Sequence, residues 1–426
     1  MTCVRLVRRW LAALLAFASL AGIAPVQAAN NAPVILVHGF AGFGRSEMLG
    51  YKYWGGLTDL QAQLQSRYGD QMVRTAVVGP FSSNWDRAVE LYYQIKGGCV
   101  DYGMLHANTH GHLRKPEDFW HNGRTCHPGL YPSWDASHPV HLITHSMGGQ
   151  TARLLVQLLA ANGAPSNPGL FAGSPSSAWV KSVTTISTPN DGTTLAYRVV
   201  DWVPVVQQLV TGVAGLTGGT AAQTVYDFKL DQWQIGPRKS SESFADYMNR
   251  VMAWPLWDSG IKDLSPYDLS PAGAMAENEW VKDHADVTYF SVSTDSSTRG
   301  WLTGWSYPNV DTNALLFLFV GPGWMGNFMP DARPFAPVDP ASWWPNDGVV
   351  NTVSHKAPTW AMNAAGGIHA RPVVIKDLSH GGTPQAGAWN WKGLMGGSDH
   401  FDIIGWTLFF DSVGWYKAHV DGLRGL

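Results

Sequence analysis

Residues 138–156 read HPVHLITHSMGGQTARLLV, and this stretch decides how the rest of the chain is interpreted. The apolar run 140–143 ends in THSMGG, and residues 150–159 continue with apolar side chains at helical spacing. A strand that turns into a helix through a G-x-S-x-G-like pentapeptide exposes a nucleophilic serine, here Ser146. Gly148 occupies the second small position, but Thr144 stands at the first. An ordinary glycine-rich turn between a strand and a helix fits the same residues.

Apolar runs on both sides of this stretch predict further buried strands. Residues 32–37, APVILV, suit a parallel strand, and residues 74–78, 179–186, 287–292 and 371–376 suit others. Residues 57–67 are typical of a helix. Strands that alternate with helices predict an α/β fold with a doubly wound, mostly parallel sheet.

The first 28 residues are typical of a signal peptide. Arg5, Arg8 and Arg9 precede an apolar core at 11–23 and a small-x-small cleavage site at 26–28. No later stretch offers the ~20 apolar residues that a transmembrane anchor needs. The sequence therefore predicts an exported protein, periplasmic or extracellular, whose residues 29–426 form one domain.

Charged residues make up only 14% of the chain and the net charge is −3. This balance argues against a nucleic-acid partner or an anionic membrane surface and favours neutral, apolar partners. Cys3 leaves with the signal, so Cys99 and Cys126 remain as a pair in an oxidising compartment. We expect a disulfide between them; the alternative is two buried free thiols.

Three irregular segments are predicted as insertions in the domain, at about 79–130, 196–260 and 298–345. The last is rich in aromatic residues and proline and is predicted to form a cap. The second contains residues 201–213, which are apolar around most of a helix and precede several glycines. Such a helix is either a lid over an apolar cleft or a buried core helix.

A nucleophilic serine needs a histidine base and a carboxylate that orients the base. Asp347 in PNDGVV and His400 in SDHFDIIG follow Ser146 in the required order, acid before base. Rival bases are His355, His369 and His380. The early HGF loop and the residue after the serine would supply the oxyanion N–H donors, which are Phe40 and Met147.

The first insertion also suggests a metal site. His106, Asn108, His110 and His112 crowd one short segment, and Asp86 or Asp231 could complete a tetrahedral N/O site. Four protein ligands would make a closed, structural site. An open site would place a metal-bound water in the chemistry.

Several segments together resemble the zinc-containing lipases of thermoalkaliphilic Bacillus and Geobacillus, which are related to the staphylococcal lipases and have the α/β-hydrolase fold. They occur in the same order at compatible separations: APVILVHGFAGFGR, YKYWGGL, VGPFSSNWDRA, GGCVDYGMLHANTHGH, THSMGGQTARLLV, SVTTISTPNDGTTL, VYDFKLDQW, NDGVVNTVS and DHFDIIG.

The resemblance implies roles for individual residues. Ser146, Asp347 and His400 would form the triad, with Phe40 and Met147 as oxyanion donors. Structural zinc would be held by Asp86, His106, His112 and Asp231, and the helix at 201–213 would be a lid. The calcium site of the family would use Gly300 and Asp402, but its Asp-Pro pair is missing because DHFDIIG runs directly into WTL. The cysteine pair is not typical of the family, and its disulfide would close a loop that contains both zinc histidines.

The favoured prediction is a secreted serine carboxylester hydrolase, a triacylglycerol lipase that works through an acyl-enzyme. The nearest rival is an esterase that acts on aliphatic or aliphatic-aromatic polyesters. Less favoured are a zinc-dependent hydrolase in which Ser146 is incidental and a non-catalytic lipid-binding protein.

Overall fold

The computed structural model describes residues 30–116, 126–163, 169–198, 202–220, 226–257, 260–318, 325–331, 333–407 and 409–426. The predicted signal peptide, 1–28, lies outside these residues. The strands are β1 (Val34–Val37), β2 (Val73–Ala76), β3 (Gly98–Cys99), β4 (Cys126–His127), β5 (Val140–His145), β6 (Val180–Ile186), β7 (Thr288–Asp295), β8 (Ser297–Arg299), β9 (Ser306–Pro308), β10 (Trp360–Met362), β11 (Ile368–Ala370), β12 (Ile375–Asp377) and β13 (Trp389–Gly396).

The α-helices are α1 (Leu60–Tyr68), α2 (Asn84–Lys96), α3 (Met104–His110), α4 (Gly148–Ala161), α5 (Leu195–Arg198), α6 (Trp202–Leu216), α7 (Phe244–Met252), α8 (Ser265–Asp268), α9 (Pro271–Trp280), α10 (Ala314–Leu318) and α11 (Ser412–Arg424). None of the described helices is long and apolar enough to span a bilayer.

A seven-stranded sheet in the order β12-β13-β7-β6-β5-β1-β2 forms the centre of the molecule, and each pair of neighbours is parallel. The chain moves from β1 outward to β2 and then returns to add β5 on the other side of β1. The strand order therefore reverses between β1 and β5, and the crevice beyond their carboxyl ends is where open α/β sheets bind ligands.

The two faces of the sheet are covered by two hydrophobic clusters. Val34 and Leu36 of β1 point into one cluster, whereas Ile35 and Val37 point into the other. The first cluster includes side chains of α1 and α11, and the second includes side chains of α2 and α4. Helices on both faces confirm the predicted doubly wound α/β fold.

Strand β13 is absent from the sequence prediction. Its residues, WNWKGLMG, contain no continuous apolar run that would predict a strand. The strand forms because it pairs between β7 and β12. The predicted strand at 371–376 is replaced by the shorter β12, which forms the edge of the sheet.

Helix α6 covers the stretch predicted as a lid or a core helix. Leu209, Val210 and Val213 are buried in the first cluster. A Cβ atom on Gly212 would lie 2.4 Å from the side chain of Leu315, so α6 approaches α10 very closely. The helix is thus packed down on the core in this structure, and a lid role stays a prediction, as do the predicted insertion boundaries.

Candidate active site

Ser146 lies on a sharp turn between β5 and α4, at the carboxyl edge of the sheet. Its backbone has a φ of 56°, a value that residues with a side chain rarely adopt. The Ser146 N–H donates to the Ile186 carbonyl at 2.8 Å, which anchors the turn to the end of β6. A strained serine between strand and helix is the geometry of a nucleophile elbow.

Glycines permit the close approach of the segments around this turn. A Cβ atom on Gly148 would lie 2.6 Å from the Val37 carbonyl oxygen, and one on Gly39 would lie 2.5 Å from the Cβ of Ser146. Side chains at either position would push the β1 loop away from the serine. The loop that follows β1 and the elbow are therefore in direct contact.

Thr144, the departure from the usual elbow pattern, is buried against the neighbouring strand. The residue is fully buried, and its hydroxyl donates to the Thr184 carbonyl on β6 at 2.7 Å. The larger side chain is thus held by a hydrogen bond to the neighbouring strand.

His400 and Asp347 form a buried pair near the elbow. Nδ1 of His400 donates to Oδ2 of Asp347 at 2.8 Å, and the His400 backbone N–H donates to the Asp347 carbonyl at 2.9 Å. The Nδ1 proton is thus held by the carboxylate, which leaves the Nε2 lone pair available to accept a proton.

The carboxylate of Asp347 is held by several donors. Oδ1 accepts the N–H groups of Val349 and Val350, and Oδ2 also accepts the Thr294 hydroxyl. Burial acts to raise the pKa of Asp347, but the charge and hydrogen bond of His400 outweigh it, so the pKa stays well below its usual range. Asp347 is therefore ionised and fixes the orientation of the imidazole.

His145 connects the elbow to the His400 loop. Its ring lies 4.5 Å from the ring of His400, and its Nε2 donates to the His400 carbonyl at 2.9 Å. Because His145 directly precedes Ser146, the structure brings the predicted serine, acid and base to one place.

The rival histidines differ in position. His369 pairs with Glu279 on the surface, and His380 is exposed. His355 is fully buried, with Nε2 3.5 Å from Oδ2 of Asp347, but its Nδ1 accepts the Thr294 N–H. The carboxylate therefore has two imidazole neighbours, of which His400 is hydrogen-bonded.

The two predicted oxyanion residues lie at the same small apolar cluster. Met147 is fully buried, and Phe40 packs against a small cluster that consists of Met147 and Leu269. The turn before Phe40 is held by the Gly39 N–H, which donates to the Tyr53 hydroxyl at 2.9 Å. The HGF loop and the residue after the serine thus share one wall of the site.

A candidate metal centre lies beside the N-terminus of α2. The ligating atoms of its four side chains all lie within 4.8 Å of one another, and the residues are Asp86, His106, His112 and Asp263. Nε2 of His106 is 3.1 Å from Asp86 and 3.3 Å from Asp263, and Nε2 of His112 is 3.2 Å from Asp263. Ligands around a tetrahedral zinc at ~2.0–2.1 Å would be separated by about 3.3 Å, so the spacing fits that geometry.

Further contacts also fit a metal at this position. Nε2 of His112 and Oδ2 of Asp263 are buried without a hydrogen-bond partner among the described residues. Nδ1 of His112 donates to the Leu113 carbonyl at 2.9 Å, which leaves the Nε2 lone pair for a cation. The ring of His106 stacks on Trp85 at 4.8 Å, which fixes its orientation.

Asp263 takes the place that the family resemblance implied for Asp231, and that assignment was wrong. An isolated bridge between Ser82 and Leu264 brings Asp263 to the start of α2. The segment that contains Asp231 does reach the site, but through its neighbour: the Gln232 amide donates to Oδ2 of Asp86 at 2.9 Å. His110 lies next to His106, with ring centroids 4.5 Å apart, and is outside the ligand set.

The predicted disulfide between Cys99 and Cys126 is present and joins β3 to β4. The predicted calcium residues make other contacts. Gly300 N donates to the Trp305 carbonyl, and Oδ2 of Asp402 accepts the Asp399 N–H. In the described ranges no second group of three or more ligating side chains occurs. Calcium therefore stays a prediction.

Comparisons with known proteins give the family. The family described as "Lipase-like, C-terminal domain" matches residues 30–413. Lipase 2 of Staphylococcus aureus is 33% identical over 393 residues, which cover 89% of this chain and 51% of the relative. The lipase of Staphylococcus hyicus is 32% identical over 392 residues, which cover 89% of this chain and 55% of the relative. The chain thus spans about half the length of these curated relatives.

Solved structures agree over nearly the whole chain. EstA from Clostridium botulinum superposes with a TM-score of 0.79 at 37% identity, and covers 95% of this chain and 90% of its own. Lipase 1 from Pelosinus fermentans superposes with a TM-score of 0.77 at 41% identity, and the match covers 93% of this chain and 99% of that lipase. The Staphylococcus hyicus lipase superposes with a TM-score of 0.70 at 29% identity, and the match covers 94% of this chain and 97% of the solved lipase chain. The predicted resemblance is confirmed, and the chain belongs to the lipase-like C-terminal domain family.

Proposed function

We propose that this protein is an exported serine carboxylester hydrolase that acts on triacylglycerols. The observation that carries the proposal is the buried 2.8 Å bond between His400 and Asp347 beside the strained turn at Ser146. Its relatives are named as lipases, and one solved relative is named EstA, which supports the enzyme class. The basic and apolar residues at the N-terminus support export.

The proposed mechanism assigns one task to each side chain. His400 accepts the proton of Ser146 at Nε2, because Nδ1 is committed to Asp347, and the serine oxygen attacks the ester carbonyl. The N–H groups of Phe40 and Met147 hold the oxyanion. His400 then protonates the leaving alcohol, and water hydrolyses the acyl-enzyme by the same path.

The packing around the site supports a long, apolar substrate. Ser146 is 4% exposed and His400 is 3% exposed, so both residues lie deep in the fold and not on its open surface. Helix α6 packs on Leu315 of α10, and the next residue, Leu316, packs against Gly348 beside Asp347. Movement of α6 would therefore open an apolar surface next to the acid, which is the action of a lid.

We assign zinc to the four-residue centre on the basis of its two imidazoles, two carboxylates and tetrahedral spacing. The residues that would hold it are Asp86, His106, His112 and Asp263. With four protein ligands the site is closed, so bound zinc would cross-link α2, the α3 region and the segment before α8. The ester chemistry above uses no group of this centre.

The test of the proposed function is the hydrolysis of p-nitrophenyl esters and triolein by the wild-type enzyme and by Ser146→Ala. Loss of the nucleophile is expected to lower kcat by at least ~10³-fold. Ser66→Ala, an exposed serine on α1, is the matched control and should retain wild-type rates. Substantial turnover by Ser146→Ala would overturn the serine mechanism.

A polyester is the second candidate substrate, and one feature favours it. The β8–β9 hairpin exposes aromatic side chains: Trp301 is 89% exposed, Trp305 is 42% exposed and Tyr307 is 43% exposed. Flat aromatic surfaces suit a solid aliphatic-aromatic polymer. Release of product from a polyester film, compared with release from triolein at equal enzyme concentration, separates the two substrates.

A further inference from the structure

Tyr53 is a buried tyrosine whose hydroxyl lies between two segments of the candidate active site. It is 2.9 Å from the backbone nitrogen of Gly39 and 2.6 Å from Nδ1 of His145. On its other side, the His145 ring reaches the His400 carbonyl through Nε2 at 2.9 Å. One hydrogen-bonded chain therefore runs from the loop after β1, through the elbow, to the His400 loop.

The direction of each hydrogen bond in this chain follows from its end groups. A carbonyl can only accept, so Nε2 of His145 carries the proton that is donated to His400. Burial and the neighbouring His400 hold the pKa of His145 well below its usual value, so the ring is neutral and its Nδ1 is an acceptor. The Tyr53 hydroxyl must then donate to Nδ1 and accept from the Gly39 N–H.

The packing of Tyr53 does not by itself call for a hydroxyl. Its ring lies in an aromatic cluster, with ring centroids 5.7 Å from Trp54, 5.8 Å from Phe43 and 6.3 Å from Trp406. A phenylalanine would fill the same space, whereas a buried hydroxyl costs free energy unless it is hydrogen-bonded. The hydroxyl is therefore explained by its two partners.

We propose that Tyr53 is a positioning residue for ester hydrolysis, which locks His145 in its Nε2–H tautomer and so fixes the backbone of His400. The same hydroxyl fixes Gly39, the residue before the oxyanion donor Phe40. This role rests on the proposed function, because it takes His400 as the base. Without the hydroxyl, His145 is free to move its proton to Nδ1 and to release the His400 carbonyl.

The experiment is pre-steady-state hydrolysis of a p-nitrophenyl ester by full-length mature Tyr53→Phe. The burst amplitude counts competent active sites, and the burst rate constant reports acylation at each site. Misplacement of catalytic groups by about 1 Å can cost ~10²-fold, so we expect the rate constant to fall ~10–100-fold. Because His400 serves both acylation and deacylation, both rate constants should fall together, so the burst amplitude and KM, which depend on their ratio, should stay within about threefold of wild type.

Tyr416→Phe is the matched control. Tyr416 is fully buried and packs on Trp54 in the same cluster, and its hydroxyl has no hydrogen-bond partner among the described residues. Its burst rate constant should equal that of wild type. If Tyr53→Phe lowers only the burst amplitude, the hydroxyl has a purely structural role and the proposal is wrong.

A second pair of variants tests the same chain if Tyr53→Phe fails to fold. His145→Gln keeps an amide N–H that can reach the His400 carbonyl, whereas His145→Ala keeps none, so glutamine should restore at least ~10-fold of the acylation rate. Equal rates for the two variants would overturn the proposal. Ser146→Ala in the same assay separates the outcomes: if it remains active the proposed function fails, and if it is inactive while Tyr53→Phe matches wild type only this inference fails.

Discussion

Asp263 owes its place at the metal centre to backbone pairing far from it in sequence. The Ser265 N–H donates to the Phe81 carbonyl, and the Ser265 hydroxyl donates to the Ser82 carbonyl. These bonds hold residues 263–265 across the start of α2. Asp231 begins a short 3₁₀-helix whose next residue, Gln232, bonds Asp86. The pairing of residues 263–265 with the start of α2 thus places the carboxylate of Asp263, and not that of Asp231, among the candidate ligands.

Asparagine substitution at the two aspartates tests this assignment. Asp263→Asn should lose most of the bound zinc. Removal of an outer hydrogen-bond partner of a metal ligand lowers metal affinity ~10–100-fold, and loss of a ligand itself should lower zinc affinity by more than that. Asp231→Asn, the matched control, should bind zinc as wild type does. Metal content after dialysis and competition with a chromogenic chelator are the measurements. Equal zinc loss in both variants would contradict the assignment of Asp263.

Activity of the zinc-free protein separates a structural from a catalytic metal. Chelated wild type should hydrolyse p-nitrophenyl esters at low temperature at a rate near that of the zinc-bound enzyme, but its melting temperature should fall. If chelation abolishes turnover at a temperature where the fold is intact, the metal is part of the chemistry.

Single residues also mark how far the sequence could predict the site. The elbow and the late DHFDIIG segment are local patterns, so Ser146 and His400 could be proposed from neighbouring residues. The choice between Asp231 and Asp263 depends on the pairing of Ser82 with Leu264, which no local pattern encodes. Tyr53 was missed for the same reason, since its partners lie in two other segments.

Whole elements, like single residues, can be predicted where the pattern is local and are missed where it depends on distant partners. Strand β1 is a continuous apolar run because both faces of a parallel sheet are buried, and the sequence predicts it directly, as it does β5 and β6, in which polar residues interrupt the apolar ones. Strand β13 contains a buried asparagine, Asn390, whose amide donates to the carbonyls of Tyr289, Gln385 and Ala388. A polar residue that is satisfied by tertiary partners hides a buried strand from a pattern of apolar residues.

The β3–β4 ribbon makes a testable link between the disulfide and the metal. The Cys99–Cys126 bond spans 27 residues in sequence and encloses His106 and His112. A chain-entropy model gives about 3.5 kcal/mol for closing such a loop. The Cys99→Ser/Cys126→Ser variant should therefore unfold at lower denaturant and release zinc to a chelator faster.

The control for this prediction is the same double variant with saturating zinc. Bound metal should recover part of the lost free energy of unfolding, because the ion also cross-links the loop. Unchanged zinc release together with an unchanged unfolding midpoint would show that the loop is ordered without the disulfide.

Across the whole molecule, the strand reversal between β1 and β5 explains why distant segments meet. Parallel strands end at one edge, so the loop after β1, the elbow after β5 and the segment after β7 lie together. Thr294, near the end of β7, bonds Asp347, and Gly39, after β1, contacts Ser146. The fold class alone predicts this meeting point, whereas the depth of burial comes from the added helices.

That burial has a consequence for stability as a function of pH. Several histidines are fully enclosed by the two clusters and the sheet, and burial lowers the pKa of each: His38, His141, His145, His355 and His419. Raised carboxyl pKa values act in the opposite direction, for example those of Glu90 and Glu277, both raised to about 7 by burial. A single-site variant is therefore needed to isolate one group.

His141 on β5 is a suitable group, because its pKa is lowered to about 3 and it lies against Ser182 and Asn30. In the unfolded chain its imidazole takes up a proton below about pH 6.5, whereas the folded protein excludes that proton down to about pH 3. The unfolded state therefore binds more protons in this window, so the contribution of His141 to stability falls as the pH falls.

We expect His141→Gln to be less stable than wild type at pH 8, because the buried hydrogen bonds are weakened. The difference in unfolding free energy should shrink by up to about 1.4 kcal/mol per pH unit between pH 6 and pH 4, since glutamine has no proton to take up. Denaturant unfolding at pH 8, 6 and 5 measures it. His369→Gln is the control. The hydrogen bond to Glu279 raises the pKa of the exposed His369, so protonation stabilises the folded state, and the difference in unfolding free energy between wild type and His369→Gln should not shrink as the pH falls. A constant His141→Gln difference from pH 8 to pH 5 would mean that His141 titrates alike in the folded and unfolded chain.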